Sequence, residues 1–151
     1  MKSIAYAIIV VLAGTVLASC DNRPKVPQLE LTGVDGTLIE LGQNTPLTAL
    51  YFFSVSNPVA LGALYRLPDQ LDEAADSVAI AMHVDRPPNV QHMQQQLLVP
   101  IVIDEANRIA NAFGGVDLTP TLILIDKGQI LLRQRATLDY DEINGLIEQH
   151  R

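Results

Sequence analysis

The chain has 151 residues, 48% hydrophobic but only 5% aromatic, with one Cys and no Trp. That length builds one compact domain and little more. Ten basic against 17 acidic side chains leave a net charge of −7, so the basic stripe of a nucleic-acid binder is absent. A single Cys excludes an intrachain disulfide, an intrachain CxxC redox couple and a Cys-based zinc site.

The first residues read as an address. Lys2 supplies a positive start, and residues 4–17 are an uncharged run rich in Ile, Val, Leu and Ala. As a helix that run covers about 21 Å, short of the roughly 30 Å hydrocarbon core, which suits an export signal better than a permanent span. It ends in Leu17, Ala18, Ser19 and Cys20, which resembles the lipobox of bacterial lipoproteins. The resemblance implies a signal peptide over residues 1–19, a diacylglycerol thioether on Cys20, and a freed amine open to further acylation. Membrane lipid is then a partner through Cys20, and two or more chains anchor stably where one does not. The alternative is an ordinary signal peptide with a chance Cys near its cleavage site. Cleavage leaves 132 residues with nine basic and 17 acidic side chains, a charge of −8. Asp21 resembles the signal that retains enterobacterial lipoproteins in the inner membrane, facing the periplasm. Residues 20–26 read as a polar, lipidated tether before a domain spanning 27–151.

Residues 28–32 and 37–41 alternate apolar and polar side chains around a Gly/Asp turn at 33–36, which predicts a β-hairpin. Residues 47–54 are nearly continuous apolar and aromatic, as in a central strand buried on both faces. Asn57 and Pro58 suit the cap and first turn of a helix running to about Ala75, with a kink at Pro68. Residues 77–84 predict a second buried strand, and 89–98 a Gln-rich helix after Pro87 and Pro88. A short strand at 99–103 and one helix over 104–113 follow, closed by Gly114 and Gly115. Residues 121–126 form a third long strand, turning through Lys127, Gly128 and Gln129 into 130–136. Residues 139–150 make an amphipathic helix. The order describes one α/β domain whose central mixed sheet is flanked by helices, behind an N-terminal β-hairpin.

Three stretches then carry a family resemblance. Residues 27–41 resemble the N-terminal hairpin, 50–60 the strand and helix start, and 113–130 the cis-proline strand of periplasmic, membrane-anchored thioredoxin-like proteins. That family includes thiol-disulfide oxidoreductases of cytochrome c maturation. The resemblance covers about residues 27–147 and implies a thioredoxin-like fold with a cis Thr119–Pro120 bond. It also aligns the two redox cysteines with Asn57 and Ala60, so the motif reads Asn57, Pro58, Val59, Ala60. Thiol exchange needs one sulfur to attack and a second to resolve. An amide and a methyl group supply neither, and no Cys lies beyond position 20. In the family the backbone beside the proline pairs with an extended partner segment. Val59, Ala60, Leu61, Tyr65 and Pro120 could accordingly form an apolar patch that receives a protein. Equally, the proline could only shape its turn while these side chains sit partly in the core.

Elsewhere the sequence offers little chemistry. His83, Asp85 and His92 are the one group suggestive of a metal, better explained as a polar strand end and an exposed helical His. Arg133 and Arg135 read as a solvated strand face, and the carboxylates at 104–105 and 141–142 as helix caps. His150 suits the last turn of its helix and carries no assigned role. No metal or other cofactor is implied. The leading expectation is a lipid-anchored, non-catalytic domain that binds or scaffolds another cell-envelope protein. The alternatives are an auxiliary component of an envelope thiol-disulfide or cytochrome c maturation pathway, with thiols supplied by a partner, and a metal-binding module.

Overall fold

The computed structural model describes residues 22–151. The signal peptide expected at 1–19, the lipidation expected at Cys20 and the sorting signal expected at Asp21 lie outside the described residues. Seven strands and four helices follow in order: β1 (Leu29–Thr32), β2 (Leu38–Leu41), β3 (Thr48–Ser54), α1 (Pro58–Gln70), β4 (Asp76–Met82), α2 (Pro87–Gln94), β5 (Ile101–Ile103), α3 (Arg108–Ala112), β6 (Thr121–Asp126), β7 (Gln129–Arg135) and α4 (Tyr140–His150). The hairpin β1–β2 is antiparallel, as its alternation predicts. The five-stranded sheet runs β5-β4-β3-β6-β7, and β6 alone runs against the direction of the other four strands.

Every residue of β3 is buried, because successive side chains enter opposite layers. Ala49, Tyr51 and Phe53 meet Leu64 and Leu67 of α1, Val90 of α2, and Ile143 and Ile147 of α4. Leu50 and Phe52 face the other way, toward Ile109 and Phe113 around α3 and toward Leu31 and Leu41 of the hairpin. The sheet is thus covered on both sides, which is why its strands read as near-continuous apolar runs.

Several boundaries differ from the sequence expectation, each for a tertiary reason. Helix α1 ends at Gln70 rather than Ala75. Asn144 of α4 terminates it, donating to the Gln70 carbonyl (2.9 Å) and accepting from Asp72 N–H (2.9 Å). Pro68 lies inside α1, where so near the C-terminus it removes one backbone bond without ending the helix. Strand β4 stops at Met82 because His83 turns left-handed, with φ 52°. Pro87 and Pro88 do not precede α2 but form its first turn, and α2 ends at Gln94, four residues early. The single helix expected over 104–113 is a 3₁₀ turn (Glu105–Asn107) followed by α3, broken by left-handed Ala106 and Asn107.

The tether also differs. Lys25 bridges Gln129, Val26 N–H donates to the Gly128 carbonyl (2.8 Å), and Ile130 N–H donates to the Pro24 carbonyl (2.9 Å). Val26 is a core residue, 7% exposed. Pro24–Val26, expected as part of the tether, therefore belong to the folded domain.

Candidate functional site

Strand β3 delivers the chain to a corner at the sheet's end, where Asn57 N–H donates to the Ser54 carbonyl (3.0 Å). Asn57 is extended (φ −100°, ψ 102°) and caps α1. Its Oδ1 accepts from the N–H groups of Val59 (3.1 Å) and Ala60 (3.2 Å), two donors that a helix start leaves without partners. Pro58 takes the first helical position, where its missing N–H costs nothing. Expectation and structure agree on this cap.

The other half of the Asn57 amide was not legible in the sequence. Its Nδ2 donates to the Thr119 carbonyl (2.8 Å) and to Thr119 Oγ1 (3.2 Å). One side chain thus ties the helix start to the loop that carries the cis Thr119–Pro120 bond. Around it, Thr121 Oγ1 donates to the Leu118 carbonyl (2.6 Å) and Ala136 N–H to the Pro120 carbonyl (2.8 Å). No bond to the Thr119 N–H is found among the described residues.

Below the corner, the fully buried Tyr51 hydroxyl donates to the Ala60 carbonyl (2.7 Å). Burial pushes this phenol well above the ordinary tyrosine range, and the neighbouring Tyr140 adds to the effect. Tyr140 is raised chiefly by burial too, and its hydroxyl is buried without a hydrogen-bond partner. A tyrosine in a strand buried on both faces needs a partner for its hydroxyl, and that requirement is the signal that could have exposed the Tyr51 contact.

The apolar patch expected from sequence is only partly formed. Ala60 and Pro120 are buried and Leu61 is half-buried, so they shape the corner from beneath. Val59 (68% exposed) and Tyr65 (40%) remain on the surface, and the Tyr65 hydroxyl donates to Gln96 (3.3 Å). Leu118, 46% exposed and unflagged in the sequence, completes the rim. Val59 follows the cap and Leu118 precedes Thr119, so the Asn57–Thr119 bonds bring both to one corner.

His83 and Asp85 line a cavity of about 350 Å³ with Ser56, Arg86 and Asn89. His92 is not among its walls, because α2 begins at Pro87 and carries it elsewhere. Among the described residues no three His, Cys, Asp or Glu side chains gather as metal ligands would. Arg133 and Arg135 are more than a solvated face. Arg133 donates to the carbonyls of Phe113 and Gly115 (2.9 Å to the latter), and Arg135 pairs with Asp117 at 3.0 Å. They brace the loop that leads to Thr119. The carboxylates act as expected in part. Asp139 caps α4, while the buried Asp104 accepts from Ile109 N–H (2.7 Å) and Ala110 N–H (2.9 Å). His150 Nδ1 lies 3.1 Å from Asp126 Oδ2.

Among the described residues, the corner offers a cap whose amide is engaged at both ends, a Thr119 N–H without a partner and an apolar rim. Among the described residues no helix is long and apolar enough to cross a membrane. No protein-family model matches the chain, and no curated protein matches it significantly. Solved structures do. The pneumococcal exposed lipoprotein thioredoxin Etrx1 of Streptococcus pneumoniae superposes with a TM-score of 0.66 at 19% identity, covering 81% of this chain and 98% of its own. StoA of Bacillus subtilis gives 0.64 at 17% identity, covering 81% and 96%. A thiol:disulfide interchange protein of Chlorobium tepidum gives 0.67 at 17% identity, covering 85% and 96%. With its mixed five-stranded sheet, flanking helices and leading hairpin, the chain has a thioredoxin-like fold.

Proposed function

We propose that this chain is a lipid-anchored, non-catalytic thioredoxin-like domain that binds another cell-envelope protein at the Asn57–Pro120 corner. The observation that carries the reading is the Asn57 amide. It spends both ends on internal bonds, closing the helix N-terminus that a redox site would leave for a thiolate. What stays open is the Thr119 N–H, flanked by exposed Val59 and Leu118. An extended segment of a partner would present a carbonyl to that N–H and apolar side chains to the rim. Lipidation at Cys20, with Asp21 behind it, would hold the domain on the inner membrane facing the periplasm. The lipoprotein description of Etrx1 is compatible with the lipid anchor.

The test is a photo-crosslinking residue in place of Val59, in the full chain expressed in its native envelope. One defined protein should be captured, and capture should fall when Leu118 becomes Asp. Turnover of a disulfide substrate by the unaltered chain would sink the reading. A second reading, an auxiliary role in an envelope thiol-disulfide or cytochrome c maturation pathway, is favoured by the fold shared with the Chlorobium interchange protein. It requires that the captured protein carry the cysteines.

A further inference from the structure

The exposed aliphatic side chains fall at two ends of the domain. Val59 and Leu118 mark the corner just described. Leu38 (80% exposed) and Leu98 (97%) mark the opposite end. They line a groove of about 550 Å³ with Pro46, Pro68 and Pro100, at the starts of β3 (Thr48) and β4 (Asp76, Ser77). The seven residues of β3 separate the two ends by about 20 Å.

The chain also enters the domain at the groove end. Pro24–Val26 are bonded to the β6–β7 turn, and Lys127 N–H donates to the Thr45 carbonyl (2.7 Å) beside the groove. Arg23, Lys25 and Lys127 line a second cavity with Gln43 and Asn44, contiguous with the groove through residues 43–46. The sequence has three lysines, Lys2, Lys25 and Lys127, so both lysines of the described domain stand here in an otherwise acidic protein. The Lys127 side chain is 83% exposed. Glu40 and Asp76 line the groove itself, so the positive charge lies on its tether side.

We propose that this end is a membrane-facing surface that rests on an anionic phospholipid bilayer, through Lys25 and Lys127 at the headgroups and Leu38 and Leu98 below them. The inference rests on the reading that Cys20 carries acyl chains. Pro24, where the chain is pinned, lies four positions after Cys20, a span of at most about 14 Å. The lipid attachment therefore keeps the groove end, not the Asn57 corner, at the bilayer. Aliphatic side chains beside lysines match the apolar-polar boundary of a lipid surface. The corner then points away from the membrane, open to a partner.

The absence of Trp makes a single introduced Trp the sole indole reporter. Leu98→Trp and, separately, Val59→Trp are placed in the full, lipid-modified chain in phosphatidylcholine–phosphatidylglycerol vesicles with brominated acyl chains. Leu98→Trp should be quenched by bromine and shielded from aqueous iodide, and Val59→Trp the reverse. Changing Lys25 and Lys127 to Gln should lower the ratio of docked to undocked domain by about five-fold each. Leu38→Trp repeats the measurement at the second aliphatic position, should Leu98→Trp disturb the fold. If the chain floats with the vesicles but Leu98→Trp is as open to iodide as Val59→Trp, the membrane face is refuted and the anchor stands. If the chain does not float and Cys20 carries no acyl mass, the anchor and the face fall together. Shielding from iodide without bromine quenching would mean that protein, a second copy or another chain, covers the groove, and would also refute the proposal.

Discussion

Replacing Asn57 by Ala separates the clasp at the corner into measurable parts. The side chain caps α1 with two bonds and reaches Thr119 with two more. Loss of an Asn cap costs about 1 kcal/mol. The Thr119 acceptors are half-buried and regain some water, so their loss adds about 1 kcal/mol for the pair rather than for each. Asn57→Ala should therefore destabilise the domain by about 2 kcal/mol. For residues 22–151, an unfolding entropy of about 2.1 cal/mol/K per residue converts this to a Tm lower by about 7 °C. Asn57→Asp keeps the cap acceptor and gains from the positive end of the helix, but it loses the Nδ2 donor to Thr119. It should fall between, about 0.5–1 kcal/mol below the parent. Urea unfolding of the three proteins, with an unchanged denaturant slope, reads both differences. A loss under about 0.5 kcal/mol for Asn57→Ala would place it with ordinary surface changes and refute the clasp. Equality of Asn57→Asp with the parent would mean that the Thr119 bonds contribute no more than the charge gains at the helix start.

Asn57→Cys with Ala60→Cys, in residues 22–151 where no other thiol exists, should form a disulfide on oxidation and reduce insulin, while the parent should give no reduction. The helix start should hold the first thiol below its usual pKa of about 8.5, readable by iodoacetamide rate against pH. Tyr140→Phe removes a buried hydroxyl that has no partner, and should raise stability by about 1 kcal/mol in urea unfolding. Burial raises Tyr51 and Tyr140 in the fold, so their contribution is intact below the unfolded tyrosine pKa of about 10 and is lost as pH climbs above it. Tyr140→Phe should accordingly shallow the fall in urea midpoint between about pH 8 and about pH 11. Gly128→Ala places a Cβ 2.6 Å from Gln43 Cα at φ +78°, a clash with backbone. It should cost about 2 kcal/mol or more and speed amide exchange at Val26, which bonds the Gly128 carbonyl.

Boundaries set by local chemistry were legible, and those set by distant contacts were not. Asn57 and Pro58 announce α1 because cap chemistry is local, and β6 falls within residues 121–126 because its whole length is buried. The end of α1 depends on Asn144, more than 70 residues away, and no local pattern encodes that contact. The break before α3 depends on Asp104 reaching five and six residues ahead, past left-handed Ala106 and Asn107. Arg133 alternates like a surface residue yet braces the loop before Thr119 from a neighbouring strand. The tether reads as polar linker because Lys25 pairs with Gln129, across most of the sequence. At the corner, residue identities announced the missing sulfur, but only the fold shows what the amide does instead.

That substitution changes the corner's energetics as well as its chemistry. A thiolate at a helix start is useful because the helix N–H groups stabilise it while leaving it free to attack. An amide in the same place consumes those N–H groups and, through its other end, fixes the facing loop. Reactive sites are often held at some cost to stability, and relief of that cost accompanies loss of activity. In this chain the Asn57 bonds hold helix to loop. The Thr119 N–H is left outside the exchange, since Asn57 contacts only its carbonyl and hydroxyl. Among the described residues that N–H has no partner, which is the feature the proposed binding role uses.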